Sequence, residues 1–317
     1  MAFDPTAEPD ALDLSTTPGH LIRRAQQVHT AYWAEELDGL LTGPQYAVVV
    51  SLAGWPGISQ TRLGELASLD KNTAAGILAR LERRGWVERV RDPGDARRRV
   101  LRLTGSVRTR LRTITPAATR VQERLLGPLP PGERQAFVSR LARVAFQQRR
   151  VTGYEPESVT GPVLSLPTAP GYLIRRGERV HGELWTAEVG GELTAPQYAL
   201  LVAVLRGGEV DQRQAGELAS LDKSSTADVV SRLERRGLVR RYRDRADGRR
   251  WLLELTSTAR DALGHITPAV ARVQERLLEP LPTTEWRTFT RQLARVAYQG
   301  TPPTLSPSPP PLRTLAL

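Results

Sequence analysis

Between residues 18 and 39 apolar positions recur every three or four residues: Leu21, Ala25, Val28 and Tyr32 form one face, with Ile22, His29 and Trp33 beside them, and Gly39 ends the run. That spacing predicts a helix with one buried stripe. A second helix is expected from Thr42-Gly43-Pro44, where Thr42 can cap and Pro44 suits the first turn, to the breaker Gly54-Trp55-Pro56-Gly57. Ser59 caps a short third helix to about Ser68, and Asp70 caps a fourth from Lys71 to Arg84, closed by Gly85. The period then drops to two, in Trp86–Val90 and Arg99–Leu103, around the turn Asp92-Pro93-Gly94-Asp95, which predicts a β-hairpin. Thr104 can cap a long helix to Leu126, bent or restarted at Thr115-Pro116. Residues 132–150 make a last amphipathic helix with Phe137, Leu141, Val144 and Ala145 on its apolar face.

The whole pattern returns once. Leu63-Gly-Glu-Leu-Ala-Ser-Leu-Asp-Lys71 recurs as Ala215-Gly-Glu-Leu-Ala-Ser-Leu-Asp-Lys223, and Pro18-Gly19, Pro44-Gln45-Tyr46-Ala47 and Val121–Leu126 recur at the same offset of 152 (170 − 18) with no gap. A period this long is two head-to-tail domains, not a solenoid. The organisation expected is a poorly ordered N-terminus (1–17), a first domain (18–150), a Pro/Gly/Thr/Ser-rich linker (151–169), a second domain (170–299) and a disordered Pro-rich tail (300–317). The second copy should carry helices at Gln197 to Arg206, Gln214 to Ser220, Lys223 to Arg236 and near 258–278 and 284–298, with a hairpin around Asp244–Gly248.

Charge narrows the partners. The net charge of +11 and pI near 10.8 favour an anionic polymer. The excess is uneven: 23 basic against 15 acidic residues in 1–152, and 22 against 19 in 153–317. With no cysteine, four histidines, no Gly-rich phosphate loop and no His-x-x-x-His pair, an enzyme or a metal or cofactor site is poorly supported. The acidic, apolar-poor N-terminus and the absence of a long apolar run argue against export and membrane insertion, and for a cytoplasmic protein.

Helix, helix, helix-turn-helix, basic wing and two long C-terminal helices, with Asp92-Pro-Gly-Asp-Ala-Arg-Arg98 before a strand ending in Leu103-Thr104, resemble the MarR family of winged helix-turn-helix regulators. The resemblance covers about residues 18–150 and 170–299. It implies a mainly α fold with small β wings, two winged helix-turn-helix domains, and long N- and C-terminal helices of the kind that dimerise. It also implies double-stranded DNA as partner, a pseudo-palindromic operator, and release by a small aromatic-acid or phenolic effector. Members usually form homodimers, so the fused copies are expected either to form a monomeric internal pseudo-dimer or to pair as a dimer of tandem chains.

A recognition helix brings its N-terminal residues to base edges in the major groove. The candidates are Lys71, Asn72, Thr73 and Arg80 in the first copy and Lys223, Ser224, Ser225, Thr226 and Arg232 in the second. A polar helix start can also be simple capping and solvation; the repeat and the wing favour DNA. Arg97 and Arg98, with Arg249 and Arg250, sit at the wing turns, where the resemblance places an arginine in the minor groove; ion pairs from Asp95 and Asp247 are the competing reading. Gly76 against Asp228 suggests unequal half-sites, with the first copy binding more tightly. For the effector, His29, Trp33 and Tyr46, repeated as His181, Trp185 and Tyr198, could frame a planar ligand, with Arg23 or Arg175 on its carboxylate; the alternative is that the rings are core. A low-specificity architectural DNA binder without a ligand is the alternative function.

Overall fold

A computed structural model of the 317-residue chain describes residues 12–92, 94, 99–147, 163–245 and 247–300. The chain divides into two compact units, residues 25–178 and residues 1–24 with 179–317. The fold is mainly α with small antiparallel sheets.

In the first copy the elements are α1 (Pro18–Leu37), α2 (Gly43–Gly54), α3 (Gln60–Ala67), α4 (Lys71–Arg83), β1 (Val87–Arg91), β2 (Arg99–Leu103), α5 (Gly105–Leu125) and α6 (Pro131–Phe146). Local chemistry sets their boundaries. Thr42 and Gln45 close a capping box on α2, Ser59 accepts the Arg62 N–H, and Asp70 accepts the Asn72 and Thr73 N–H groups. After α4, Gly85 takes a left-handed φ of 67°, which turns the chain into the hairpin. β1 and β2 pair from Val87↔Leu103 to Arg91↔Arg99. In unit 25–178 the buried faces of α2, α3, α4 and α5 include Tyr46, Leu63, Leu78, Leu81 and Val121.

The second copy has α7 (Pro170–Glu188), α8 (Ala195–Gly207), β3 (Val210–Asp211), α9 (Gln212–Leu218), α10 (Lys223–Arg235), β4 (Val239–Arg243), β5 (Trp251–Leu255), α11 (Ser257–Leu278) and α12 (Thr283–Tyr298). Here β3 adds a third strand, giving the order β3-β5-β4. The first copy keeps one bond of that edge, from the Gly57 N–H to the Leu101 carbonyl at 3.0 Å. α9 starts two residues before the expected Gln214, because Asp211 caps it and Gln214 closes the box.

Two expectations about α5 change. Thr104 stands at its N-cap without accepting a helix N–H; its hydroxyl donates instead to the Gly85 carbonyl at 2.9 Å. Thr256 of the second copy does both jobs. The helix also continues through Pro116 without the restart that the sequence offers as one reading. Pro116 removes one N–H, and the carbonyl left over, on Arg112, belongs to an exposed residue that water can reach.

Residues 12–17 and 163–169, which the sequence assigns to the poorly ordered N-terminus and the linker, carry packed side chains. Leu14 and Thr17 are buried in unit 1–24/179–317, and Leu166 in unit 25–178. Residues 1–11, 148–162 and 301–317 lie outside the described residues.

Candidate nucleic-acid interface and effector site

The DNA-facing candidates of the first copy lie on α4, whose inner face is fixed by Ala74, Ile77, Leu78 and Leu81. That spacing leaves Lys71, Asn72, Thr73 and Arg80 exposed. Asp70 holds the start of the helix; its carboxyl lies below the usual range, chiefly through the Thr73 hydroxyl and then the backbone N–H groups. Between α3 and α4 the chain turns at Ser68, with a left-handed φ of 53°. Among the described residues Arg80 donates only to the carbonyl of Gly76, at 3.2 Å.

α10 repeats this geometry with changes. Lys223, Ser224 and Arg232 are exposed, and Ser225 spends its hydroxyl on Asp222 at 2.7 Å. Thr226, counted in the sequence among the DNA-facing residues, is buried. A Cβ on Gly216 would come within 2.3 Å of its Oγ1, and that hydroxyl donates to the Asp222 carbonyl at 2.7 Å. Its counterpart is the buried Ala74, so the position faces the helix-turn-helix interior in both copies. Arg232 pairs with Asp228 at 2.9 Å.

In the first wing Asp95, Arg97 and Arg98 lie outside the described residues. In the second, Asp247 accepts the backbone N–H of Arg249 at 3.0 Å, in place of the ion pair of the competing reading. Arg250 reaches Asp244 at 3.4 Å and Asp211 at 3.5 Å, tying the wing to the start of α9. Arg249 is left exposed.

The effector candidates assemble in each unit. In unit 25–178, Trp33 Nε1 donates to His29 Nε2 at 2.6 Å and the Trp33 ring stands 5.3 Å from Tyr46. Tyr46 shares a 3.2 Å bond with Thr115 and accepts the Leu164 N–H at 3.3 Å. Arg175 donates to the Ala67 carbonyl at 2.6 Å, and Tyr172 to Leu66 at 2.9 Å, both at the C-terminal end of α3. Burial, then the Arg175 charge, pushes the His29 pKa down to about 3. Burial also lowers Arg175 to about 10. His29 Nδ1 is buried with no partner among the described residues.

In unit 1–24/179–317, His181, Trp185 and Tyr198 meet in tilted and edge-on contacts, with ring separations of 5.7 Å at both steps. Here Trp185 Nε1 donates to the Leu193 carbonyl at 2.7 Å, leaving His181 Nε2 buried and unpartnered among the described residues. Arg23 donates to the Ala219 carbonyl at 2.5 Å, at the end of α9, and to His20 Nδ1 at 3.1 Å. With Nδ1 accepting, His20 Nε2 carries the proton and donates to Ser220 at 3.0 Å. Burial, then Arg23, lowers His181 to about 4.

Sequence reasoning missed His20, Tyr172 and Ser220, which join the arginines to the helix-turn-helix. It also missed Gln122 and Gln274, which it used only as markers of the repeat. Their signal was present: Gln122 and Gln274 are polar residues on the apolar stripes of α5 and α11, and both are buried.

Two helices across a tight turn, the second with an exposed polar start, followed by an antiparallel hairpin rich in arginine, define a winged helix-turn-helix protein, and this chain has two. It belongs to the MarR family: one model of that family matches residues 41–98 and a second matches residues 192–250. It is 44% identical over 119 residues to the transcriptional regulator HosA of Escherichia coli O111:H-, covering 38% of this chain and 87% of that protein. It is 34% identical over 133 residues to the HTH-type transcriptional repressor NicR of Pseudomonas putida, covering 42% of this chain and 84% of NicR. Among solved structures, the PcaV transcriptional regulator from Streptomyces coelicolor in complex with its natural ligand matches at 42% identity over 43% of this chain and 96% of that one, with a TM-score of 0.41. No helix of the described residues is long and apolar enough to cross a membrane.

Proposed function

We propose that the chain is a cytoplasmic transcriptional repressor in which the two fused copies act as an internal pseudo-dimer on a pseudo-palindromic operator, and which a small aromatic acid or phenol releases from DNA. DNA reading is assigned to Lys71, Asn72, Thr73, Arg80, Arg97 and Arg98 in the first copy. In the second it is assigned to Lys223, Ser224, Ser225, Arg232 and Arg249, with Arg250 orienting the wing. The observation that carries the regulatory part is the placement of a half-buried arginine in each unit. Arg175 and Arg23 donate to the last carbonyls of α3 and α9, the helices that support the recognition helices, beside a His-Trp-Tyr cluster.

The chemistry follows from that competition. A carboxylate is a far stronger acceptor for a guanidinium than a peptide carbonyl. A planar acid lodged against the His-Trp-Tyr rings would draw the arginine off the carbonyl and release the turn at Ser68 or Ser220. Binding and turn geometry are thereby coupled, as differential affinity for two states requires.

The pseudo-dimer reading is supported by matched backbone contacts. The Gly171 N–H donates to Gln122 Oε1 and the Gly19 N–H to Gln274 Oε1, each at 2.8 Å and buried. In each unit, then, the start of one copy's first helix is bonded to the other copy's long C-terminal helix. Tethering makes the second half-site contact intramolecular, so effective concentration replaces association of subunits.

The test is selection of DNA from a random pool by the intact chain, light scattering of the resulting complex, and titration with a panel of benzoates, cinnamates and phenols. One chain on one imperfect inverted repeat, displaced by a member of the panel, is the expected result. Two chains per site removes the pseudo-dimer, absence of any enriched sequence leaves a low-specificity architectural binder, and displacement by no compound removes the effector.

A further inference from the structure

Trp251 is exposed to 47%, and it is the one large hydrophobic side chain so exposed among the described residues. A single exposed ring is ordinary on a protein surface. Its position gives it meaning. It opens β5 at the tip of the second wing, directly across from Arg243, whose guanidinium lies 4.2 Å above the ring centroid. Arg243 is held there by the Gly248 carbonyl of the wing loop, and Arg245 and Arg249 are exposed in the same loop. An aromatic face set among arginines suits a polyanion that also offers apolar edges, as the sugar rings of a DNA groove do.

The first copy differs at this point. Its closing pair is Arg91↔Arg99, two cations directly opposite each other. Like charges in that position repel, and a phosphate between them relieves the repulsion. In the second copy the pair is instead a cation stacked on a ring, which stabilises the hairpin without an anion.

Resting on the DNA-reading assignment above, we propose that Trp251 is a DNA-contacting, specificity-determining residue of the second half-site. Its ring presses against the sugar edges of the minor groove beside the wing, where the first copy makes a phosphate contact through Arg99. Wedging an apolar ring at a groove edge widens and bends the duplex, which is least costly at flexible pyrimidine–purine steps. The second half-site is therefore read partly by deformability and the first more by charge, and the operator carries a TA or CA step on the second side only.

The test uses the full chain and the DNA fragment that the wild type enriches from a random pool. Acrylamide quenching of wild type and Trp251→Phe, with and without that fragment, isolates the emission of Trp251 by difference. The expected result is at least twofold shielding of Trp251 in the complex. Trp251→Ala should lose about tenfold in affinity, with base preference relaxed in the second half-site alone. Trp251→Arg should steepen the salt dependence by about one counterion. Quenching of Trp251 unchanged by bound DNA, or loss of preference spread over both half-sites, would overturn the proposal while leaving DNA recognition standing. A wild-type chain that enriches no sequence would overturn both. Trp251→Phe keeps a ring under Arg243, so an unfolded wing in the alanine variant would not mask the outcome.

Discussion

Arg232 forms a 2.9 Å ion pair with Asp228 one turn earlier on α10, whereas its counterpart Arg80 on α4 finds, among the described residues, only the backbone carbonyl of Gly76. The two recognition helices thus present the same arginine in different electrostatic settings. Near phosphates a carboxylate is repelled and its partner is already partly neutralised. Asp228→Ala should raise the affinity of the intact chain for its operator by about three- to tenfold and steepen the salt dependence by about one counterion. Filter binding or fluorescence anisotropy at several salt concentrations measures both. An unchanged slope would mean that Arg232 does not approach DNA.

The buried threonine of α10 yields a complementary expectation. Thr226 is covered by the Gly216 backbone, so Thr226→Ala should leave DNA affinity within about twofold and base preference unchanged, costing at most about 1 kcal/mol of stability for the lost bond to Asp222. Gly216→Ala should be far more damaging, because its new Cβ would meet Thr226 Oγ1 at 2.3 Å. Adding Thr226→Ala removes the hydroxyl and methyl that this Cβ would meet, so the double variant should recover most of the loss. Chemical denaturation of the three variants distinguishes these outcomes.

Much of this arrangement is legible in the chain because it is local. Thr42, Ser59, Asp70 and Asp222 cap the helices they precede, and the capping signal lies within three residues of its target. Thr226 was misread because polarity at a helix start looks alike on every face; the buried counterpart Ala74 was the available warning. The bonds that join elements distant in sequence were not legible. Gln122 and Gly171 are 49 positions apart, and Gln274 and Gly19 are 255 apart. Nothing in periodicity tells which backbone N–H a buried glutamine will meet. The sequence offers Arg23 and Arg175 for a ligand carboxylate through their charge beside aromatic residues, and their bonds to Ala219 and Ala67 follow from packing that no short pattern encodes.

The close approach of α1 and α7 in unit 25–178 sets a further expectation. A Cβ on Gly171 would sit 2.0 Å from His29 Nε2. Alanine in place of glycine in a helix is ordinarily stabilising by about 0.5–1 kcal/mol. Here the imidazole cannot retreat without breaking its bond to Trp33, so the overpacking term should win and Gly171→Ala should cost about 1–3 kcal/mol. Combining it with His29→Ala should cost less than the sum of the two single changes, a coupling that a double-mutant cycle in urea reads directly. Additive losses would show that the two residues do not confront each other.

Stability should fall with pH through the histidines before the carboxylates begin to titrate. His29 and His181 are held near 3 and 4 by burial and by Arg175 and Arg23 respectively, and His20 is also well below its ordinary value of 6.5. A folded-state pKa below the unfolded one means that the unfolded chain binds more protons between the two values, so unfolding is favoured as pH drops from about 6.5 towards 4. At pH 5 each such histidine removes at most about 2 kcal/mol, from 1.36 kcal/mol per pH unit over 1.5 units. The urea midpoint should therefore drop between pH 7 and pH 5, while Asp70, Asp222, Glu36 and Glu188, all held below their usual values, remain ionised in the fold and add little to the change until the pH falls below 5. His181→Asn should flatten this dependence without abolishing it, since His20 and His29 still titrate. A midpoint that stays constant from pH 7 to pH 5 in the wild type would mean that these imidazoles are protonated as easily in the fold as in the open chain, and that the clusters around them admit water.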